Sequence, residues 1–268
     1  MKKINDLEAL AKKYRRDLFE KFLLIKQGHP GSIFSMMEIV VALYHGGFVR
    51  FNNNDKKFLD KVLISKGHAT AALYPILRDF NVLPSKEWDN WGKKDSLLRV
   101  FGNVSIPGID ITSGSLGHCV GAGAGMAISY KRSKKDNNVY VVISEGELYE
   151  GSTWEALLFA KHNKLNNLKI IIDINSLIIL GKTSDCLNLE PIKDKILGLG
   201  IKTFEVDGHN LTDLVSTLEL SQKTNDVSCI LARTVKGKGS SIMENKKNWH
   251  YWNPMNEKEI KITREELS

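Results

Sequence analysis

Two short polar stretches carry the residue types best able to do chemistry. Ser144-Glu145-Gly146-Glu147 follows the apolar run Val139–Ile143, and Asp173-Ile174-Asn175-Ser176 follows Leu168–Ile172. A carboxylate at Glu145, an amide oxygen at Asn175 and a backbone carbonyl form a hard oxygen set suited to Mg²⁺ or Ca²⁺. Such an ion bridges naturally to a diphosphate. Acidic and amide residues at strand ends are equally common as turn formers and helix caps, so the spacing alone leaves both readings open. A third candidate is His29, in Gly28-His29-Pro30-Gly31. Imidazole titrates near neutral pH and can carry a proton, although an isolated histidine more often only packs or hydrogen-bonds. His118, His162 and His209 receive no catalytic role, His45 is read as structural, and Trp88, Trp91 and Trp252 are read as core or interface residues.

The elements that must position these residues alternate. Residues 6–27 place Leu7, Leu10, Tyr14, Leu18, Phe22 and Ile25 at helical spacing. The pattern breaks at Gly28-His29-Pro30-Gly31, and Ser32 is expected to cap a second helix through Met36, Ile39, Val40 and Leu43. Val62-Leu63-Ile64 leads into Ser65-Lys66-Gly67-His68 and a helix from about 70 to 80. The stretch Gly121–Ala127 is rich in Gly and Ala; glycine weakens an isolated helix by roughly 1 kcal/mol relative to alanine, so a helix here must gain stability from close packing. Strand 139–143, helix 148–165 and strand 168–172 make a βαβ unit, extended by strands near 201–206 and 228–234 with helix 210–221 between them. The fold class expected is α/β, a parallel sheet flanked by helices, as a single domain over 1–268. Ligands of such sheets sit beyond the carboxyl ends of the strands, where helix N-termini present backbone N–H groups.

Composition narrows the classes. The formal charge is +7, but the basic residues are spread over helix faces and short runs such as Lys12-Lys13; this reads as a solvated surface with mild attraction for anions, not a nucleic-acid interface. Cys119, Cys186 and Cys229 lie far apart without CxxC spacing, which points to a reducing compartment and away from disulfides or zinc. No apolar secretory segment or run of about 18 apolar residues occurs. A cytoplasmic protein without a membrane partner is expected.

Several blocks, in order, carry a family resemblance: Gly28-His29-Pro30-Gly31, Ser65-Lys66-Gly67-His68, Thr112-Ser113-Gly114-Ser115-Leu116-Gly117, Ser144-Glu145-Gly146-Glu147-Leu148-Tyr149-Glu150-Gly151-Ser152 with Trp154-Glu155-Ala156, Asn175, Val206-Asp207-Gly208-His209, Lys236-Gly237-Lys238-Gly239, Met243-Glu244-Asn245 and Trp249-His250. The set resembles the diphosphate-binding half of transketolases, which use thiamine diphosphate and Mg²⁺. The resemblance implies the thiamine-diphosphate-binding fold and metal ligation by Glu145, Asn175 and the Leu177 carbonyl. It implies diphosphate or cofactor contacts from His68, Gly146, Glu147, Asn175 and His250, and thiamine contacts from Gly114 and Leu116. His29 matches a histidine facing the substrate, His250 is carried over as catalytic as well, and Glu150 matches a member of a carboxylate network joining two active sites.

The sequence departs from the family at four places. Glu145 replaces the aspartate of Gly-Asp-Gly, so its carboxylate must fold back or the ion must move, and Ca²⁺ would tolerate that better than Mg²⁺. Asn103 stands where a substrate histidine is usual, and asparagine cannot exchange a proton at neutral pH. His118-Cys119 replaces Gln-Gly, and Tyr251 replaces a glycine. In the family the glutamate that activates the cofactor lies in a pyrimidine-binding domain. That domain and the C-terminal domain are expected on a second chain, the transketolase C-terminal subunit, in an α2β2 assembly. The implied reaction moves a two-carbon ketol unit from a ketose or ketose phosphate to an aldehyde. The alternatives are carboligation or decarboxylation of a 2-oxo acid, motivated by Asn103, and a non-catalytic binding or regulatory homologue, motivated by Glu145.

Overall fold

The computed structural model describes residues 2–268. Helix α1 (Ile4–Ile25) buries Leu7, Tyr14, Leu18 and Phe22, the stripe its periodicity predicts. It ends at Lys26, whose φ of 53° is left-handed. The next helix does not wait for Ser32. Proline's fixed φ and missing N–H suit a first helical turn, so α2 (Pro30–Ser35) starts at Pro30 with His29 as its N-cap, and α3 (Met37–His45) follows. A short antiparallel hairpin, β1 (Phe51–Asn52) with β2 (Lys57–Phe58), precedes the main sheet.

That sheet contains β3 (Lys61–Ile64), β4 (Val139–Ser144), β5 (Leu168–Ile174), β6 (Lys202–Asp207) and β7 (Ser228–Arg233), in the order β3-β4-β5-β7-β6, with every pairing parallel. After β3 come a 3₁₀ turn over Gly67–Leu73, α4 (Tyr74–Asp79) and α5 (Ser85–Asn90); α6 (His118–Arg132) then leads into β4. A 3₁₀ turn over Glu145–Tyr149 and α7 (Gly151–His162) join β4 to β5; α8 (Thr183–Cys186) and α9 (Ile192–Gly198) lie between β5 and β6; α10 (Leu211–Gln222) joins β6 to β7, and α11 (Glu257–Glu266) closes the chain.

Alternation along β4 divides the core. Tyr140 and Val142 pack into a layer with α1, α3 and α10, while Val139, Val141 and Ile143 pack with α6, α7 and α9. The Gly/Ala-rich helix is stabilised by the close packing it requires: a Cβ on Gly123 would meet Val141 Cγ2 at 2.6 Å. The carboxyl ends of β3, β4, β5 and β7 all open on one side, and their loops form the walls of a cleft.

Candidate active site

The cleft has a volume of about 410 Å³ and is lined by residues from His29 to Tyr251. Its floor is a lysine–carboxylate pair. Lys66, carried just past β3, reaches Asp173 near the end of β5; both are buried. The Lys66 ammonium also donates to the Ser32 carbonyl at 3.0 Å. The Asp173 carboxylate accepts from Ser35 Oγ at 2.6 Å and from the Thr234 hydroxyl. Burial alone would raise the Asp173 carboxyl, but the Lys66 charge and these donors hold it below the usual range. Gly67 must lack a side chain here, since a Cβ would lie 2.5 Å from the Ser113 backbone.

The wall above the floor carries a second buried lysine, which feels the Asp173 charge but has no carboxylate within salt-bridge distance among the described residues. Lys236, just beyond β7, is 1% exposed. Its ammonium donates to the Leu177 carbonyl at 3.2 Å and to His250 Nδ1 at 3.3 Å, and among the described residues it has no salt-bridge partner. Burial, and next the nearby Lys66 charge, lower its pKa to about 8. Three imidazoles gather beside it, with ring centroids 5.1 Å (His29–His68), 5.4 Å (His29–His250) and 5.1 Å (His68–His250) apart. Burial, followed by the Lys236 charge, lowers the pKa values of His29 and His250 to about 4, and burial pushes His68 well below its usual value. All three are therefore neutral at pH 7. His29 Nδ1 is buried and has no hydrogen-bond partner among the described residues. Tyr251 stands 5.0 Å from His29, ring to ring, and Phe101 stands 5.7 Å from it, edge-on; both are about half exposed at the cleft mouth.

Glu145 and Asn175 meet at adjacent strand tips, because β4 and β5 pair through Ser144 and Asp173. Glu145 is folded toward the β5 turn: Oε2 accepts from the Ser176 N–H at 2.9 Å and Oε1 from Thr183 Oγ1 at 2.6 Å. Asn175 Oδ1 accepts from the Leu177 N–H at 3.2 Å. The oxygen donors of the expected metal set are thus gathered in one cleft, each already accepting a hydrogen bond from the chain. Among the described residues, no group of three or more His, Cys, Asp or Glu side chains is arranged to hold a metal ion, so a metal here must draw on the amide and the backbone carbonyl.

The remaining expected site residues divide. His68, Gly114, Leu116, Gly146, Glu150 and His250 line the cleft with His29. Glu147 does not: it is fully buried, and its Oε1 accepts from Ser65 Oγ at 2.5 Å and from the Gly117 N–H at 3.0 Å. It pins the β3 exit to the start of α6 instead of facing a ligand. Asn103 also lies outside the cleft; its Oδ1 accepts from the Ser105 N–H at 2.9 Å and from the Ser105 hydroxyl, a local turn that an asparagine forms readily. Ser32, Lys66, Asp173 and Lys236 line the cleft although nothing in the residue pattern assigns them a role there. The two lysines stand inside motif blocks, and that position is the signal the sequence offers for them.

An unpaired buried ammonium and an orphaned imidazole nitrogen are costly unless an anion or acceptor completes them. The donor set therefore fits a diphosphate. Residues 9–268 match the family model described as transketolase, thiamine diphosphate binding domain. The chain is 33% identical over 264 residues to an apulose-4-phosphate transketolase subunit of Phocaeicola vulgatus, covering 98% of this chain and 94% of that protein. It is 33% identical over 244 residues to a 6-deoxy-6-sulfo-D-fructose transketolase subunit of Clostridium sp. (strain MSTE9), covering 90% and 89%. Among solved structures, transketolase from Campylobacter jejuni superposes with a TM-score of 0.90 at 26% identity, covering 99% of this chain and 43% of that one. The chain belongs to the transketolase thiamine diphosphate binding domain family.

Proposed function

We propose that this chain is the diphosphate-binding subunit of a transketolase assembled from two kinds of polypeptide. The observation that carries the reading is Lys236, buried and without a salt-bridge carboxylate among the described residues, facing the same cleft as three neutral imidazoles. The relatives of similar length support it, since they are named as subunits. Thiamine diphosphate, bound here, would supply the carbanion chemistry that lets a ketose break between C2 and C3.

The roles of this chain's residues follow from their chemistry. Lys236, with Lys66 behind it, neutralises diphosphate charge; neutral His68 and His250 and the Gly146 backbone are suited to hydrogen-bond its oxygens. Glu145, Asn175 and the Leu177 carbonyl would hold Mg²⁺, with Ca²⁺ as the tolerant substitute. Each of these oxygens accepts a single hydrogen bond from the chain and keeps a lone pair that such an ion would use. His29, whose Nδ1 lacks a partner among the described residues, would face the substrate and hold or move a proton on its hydroxyl groups. Gly114 and Leu116 would line the thiamine, and Glu150, exposed at the mouth, would join a carboxylate network across the subunit contact.

A partner chain carrying the pyrimidine-binding half and the C-terminal domain would complete the site, as an α2β2 assembly. Three free, widely separated cysteines support a reducing, cytoplasmic setting, and no helix among the described residues is long and apolar enough to cross a membrane. The 2-oxo acid alternative rests on Asn103, which does not line the cleft, and the relatives of similar length are transketolases.

The test is titration of the chain with thiamine diphosphate and Mg²⁺, alone and with its co-expressed partner, followed by ketol transfer from ketose phosphates to an aldehyde. Saturable binding with turnover only in the two-chain mixture is expected. Full turnover by the isolated chain would refute the divided site; binding without turnover in the mixture would favour the non-catalytic alternative.

A further inference from the structure

The family-ordered block Val206-Asp207-Gly208-His209 contributes no side chain to the cleft, and neither does the buried Arg15–Glu38 ion pair between α1 and α3. The two belong together. Arg15 of α1 is 5% exposed and grips Glu38 of α3, itself 7% exposed, through two hydrogen bonds of 2.5 Å. The same guanidinium donates to the Phe34 carbonyl at the end of α2, at 2.7 and 3.2 Å. Burial would raise the Glu38 carboxyl, but Arg15 and His209 bring it down to about 2, so it remains a fixed anion. Glu38 Oε2 lies 2.9 Å from His209 Nδ1, and the Val235 N–H donates to His209 Nε2 at 2.8 Å.

This geometry assigns the tautomer. A ring nitrogen that accepts from a backbone N–H carries no proton, so the hydrogen is on Nδ1 and points at Glu38. It also explains why a histidine stands here. The parallel pairing of β6 with β7 ends at Asp207 and Arg233, with the Gly208 N–H bonded to the Arg233 carbonyl at 2.7 Å. Beyond that rung β6 has turned away, and the Val235 N–H has no strand carbonyl to meet. The His209 ring takes the carbonyl's place. On the other side, the Thr234 N–H donates to the Ile174 carbonyl at 2.8 Å, and the Gly237 N–H donates to the Gly31 carbonyl at 2.9 Å. Lys236 lies between these anchors.

We propose that His209 is a positioning residue for Lys236: through Val235 it extends the sheet by one side-chain rung, so that the lysine leaves β7 aimed into the cleft. Arg15 and Glu38 hold the imidazole in the one tautomer that can do so. The proposal rests on the reading that the cleft takes a diphosphate.

The experiment is calorimetric titration of the full chain with inorganic pyrophosphate, for wild type, H209A, H209Q, K236M and the H209A/K236M double variant. H209A is expected to weaken binding about tenfold in the wild-type background and to add nothing once Lys236 is gone, the non-additivity expected of residues acting as one unit. H209Q, whose amide can donate to Glu38 and accept from Val235, is expected to restore most of the affinity. Should H209A prove unfolded in a thermal melt, H209N, too short to span both partners, carries the same cycle. Equal losses in the two backgrounds would overturn the proposal while leaving the diphosphate reading intact. Absence of pyrophosphate binding by wild type would remove both.

Discussion

The two ends of the sheet each bury a lysine, and the pair separates structure from function. Lys169 enters β5 at the amino end and Lys236 follows β7 at the carboxyl end; they are 0% and 1% exposed, and burial lowers both pKa values to about 8. Lys169 is satisfied at close range, donating to the Ser221 carbonyl at 2.5 Å and to Thr224 Oγ1 at 3.1 Å, with Asp226 favouring its charge. Lys236 has one longer bond to a carbonyl, a shared contact with an imidazole, and open space in front of it. Equal burial and equal pKa therefore do not identify a functional lysine. The unfilled coordination does.

Removing the floor pair's cation should have the largest effect. Lys66→Met leaves Asp173 buried and uncompensated, and is expected to cost about 3–5 kcal/mol in denaturant unfolding; retention of full stability would mean that Asp173 is protonated. Lys236→Met is expected to unfold no more easily than wild type yet to bind thiamine diphosphate about 100-fold more weakly, as befits loss of a charge-assisted contact. Lys169→Met should leave that affinity unchanged within about twofold. A loss at Lys169 as large as that at Lys236 would break the comparison.

A further effect is on pH dependence, where the sign follows from the lowered lysine pKa. An anion favours protonated Lys236, so affinity should be greatest below about pH 8 and fall as pH rises beyond it, by at most about tenfold per unit. Lys236→Met should flatten that limb. The ligand-free chain should respond in the opposite sense. Between about pH 8 and the ordinary lysine value of 10.5 the unfolded chain still binds protons that the folded one has released, so folding stability rises with pH there, with Lys169 and Lys236 both contributing.

Much of this is readable from the chain. The alternation of apolar runs with 3.6-period helices gives the parallel sheet, and the strand ends place Glu145 and Asn175 together because β4 and β5 are sequential neighbours. Side-chain direction in loops is not readable. Glu147 sits one residue from Gly146, yet it turns inward because tertiary folding brings Ser65 and the Gly117 N–H to it. Asn103 matches a substrate position by its place in a motif, but its side chain is captured by Ser105 two residues on. The position of β7 between β5 and β6 has no periodic signature either, and that placement brings Thr234 to Asp173 and Lys236 to Leu177.

Because the cleft draws its walls from segments as distant in sequence as His29 and Tyr251, whatever fills it acts as a removable cross-link between the two ends of the polypeptide. A ligand held at a hundred times its dissociation constant adds about 2.7 kcal/mol to folding. A chain with the cleft filled should therefore melt higher and resist protease better than the same chain with the cleft empty.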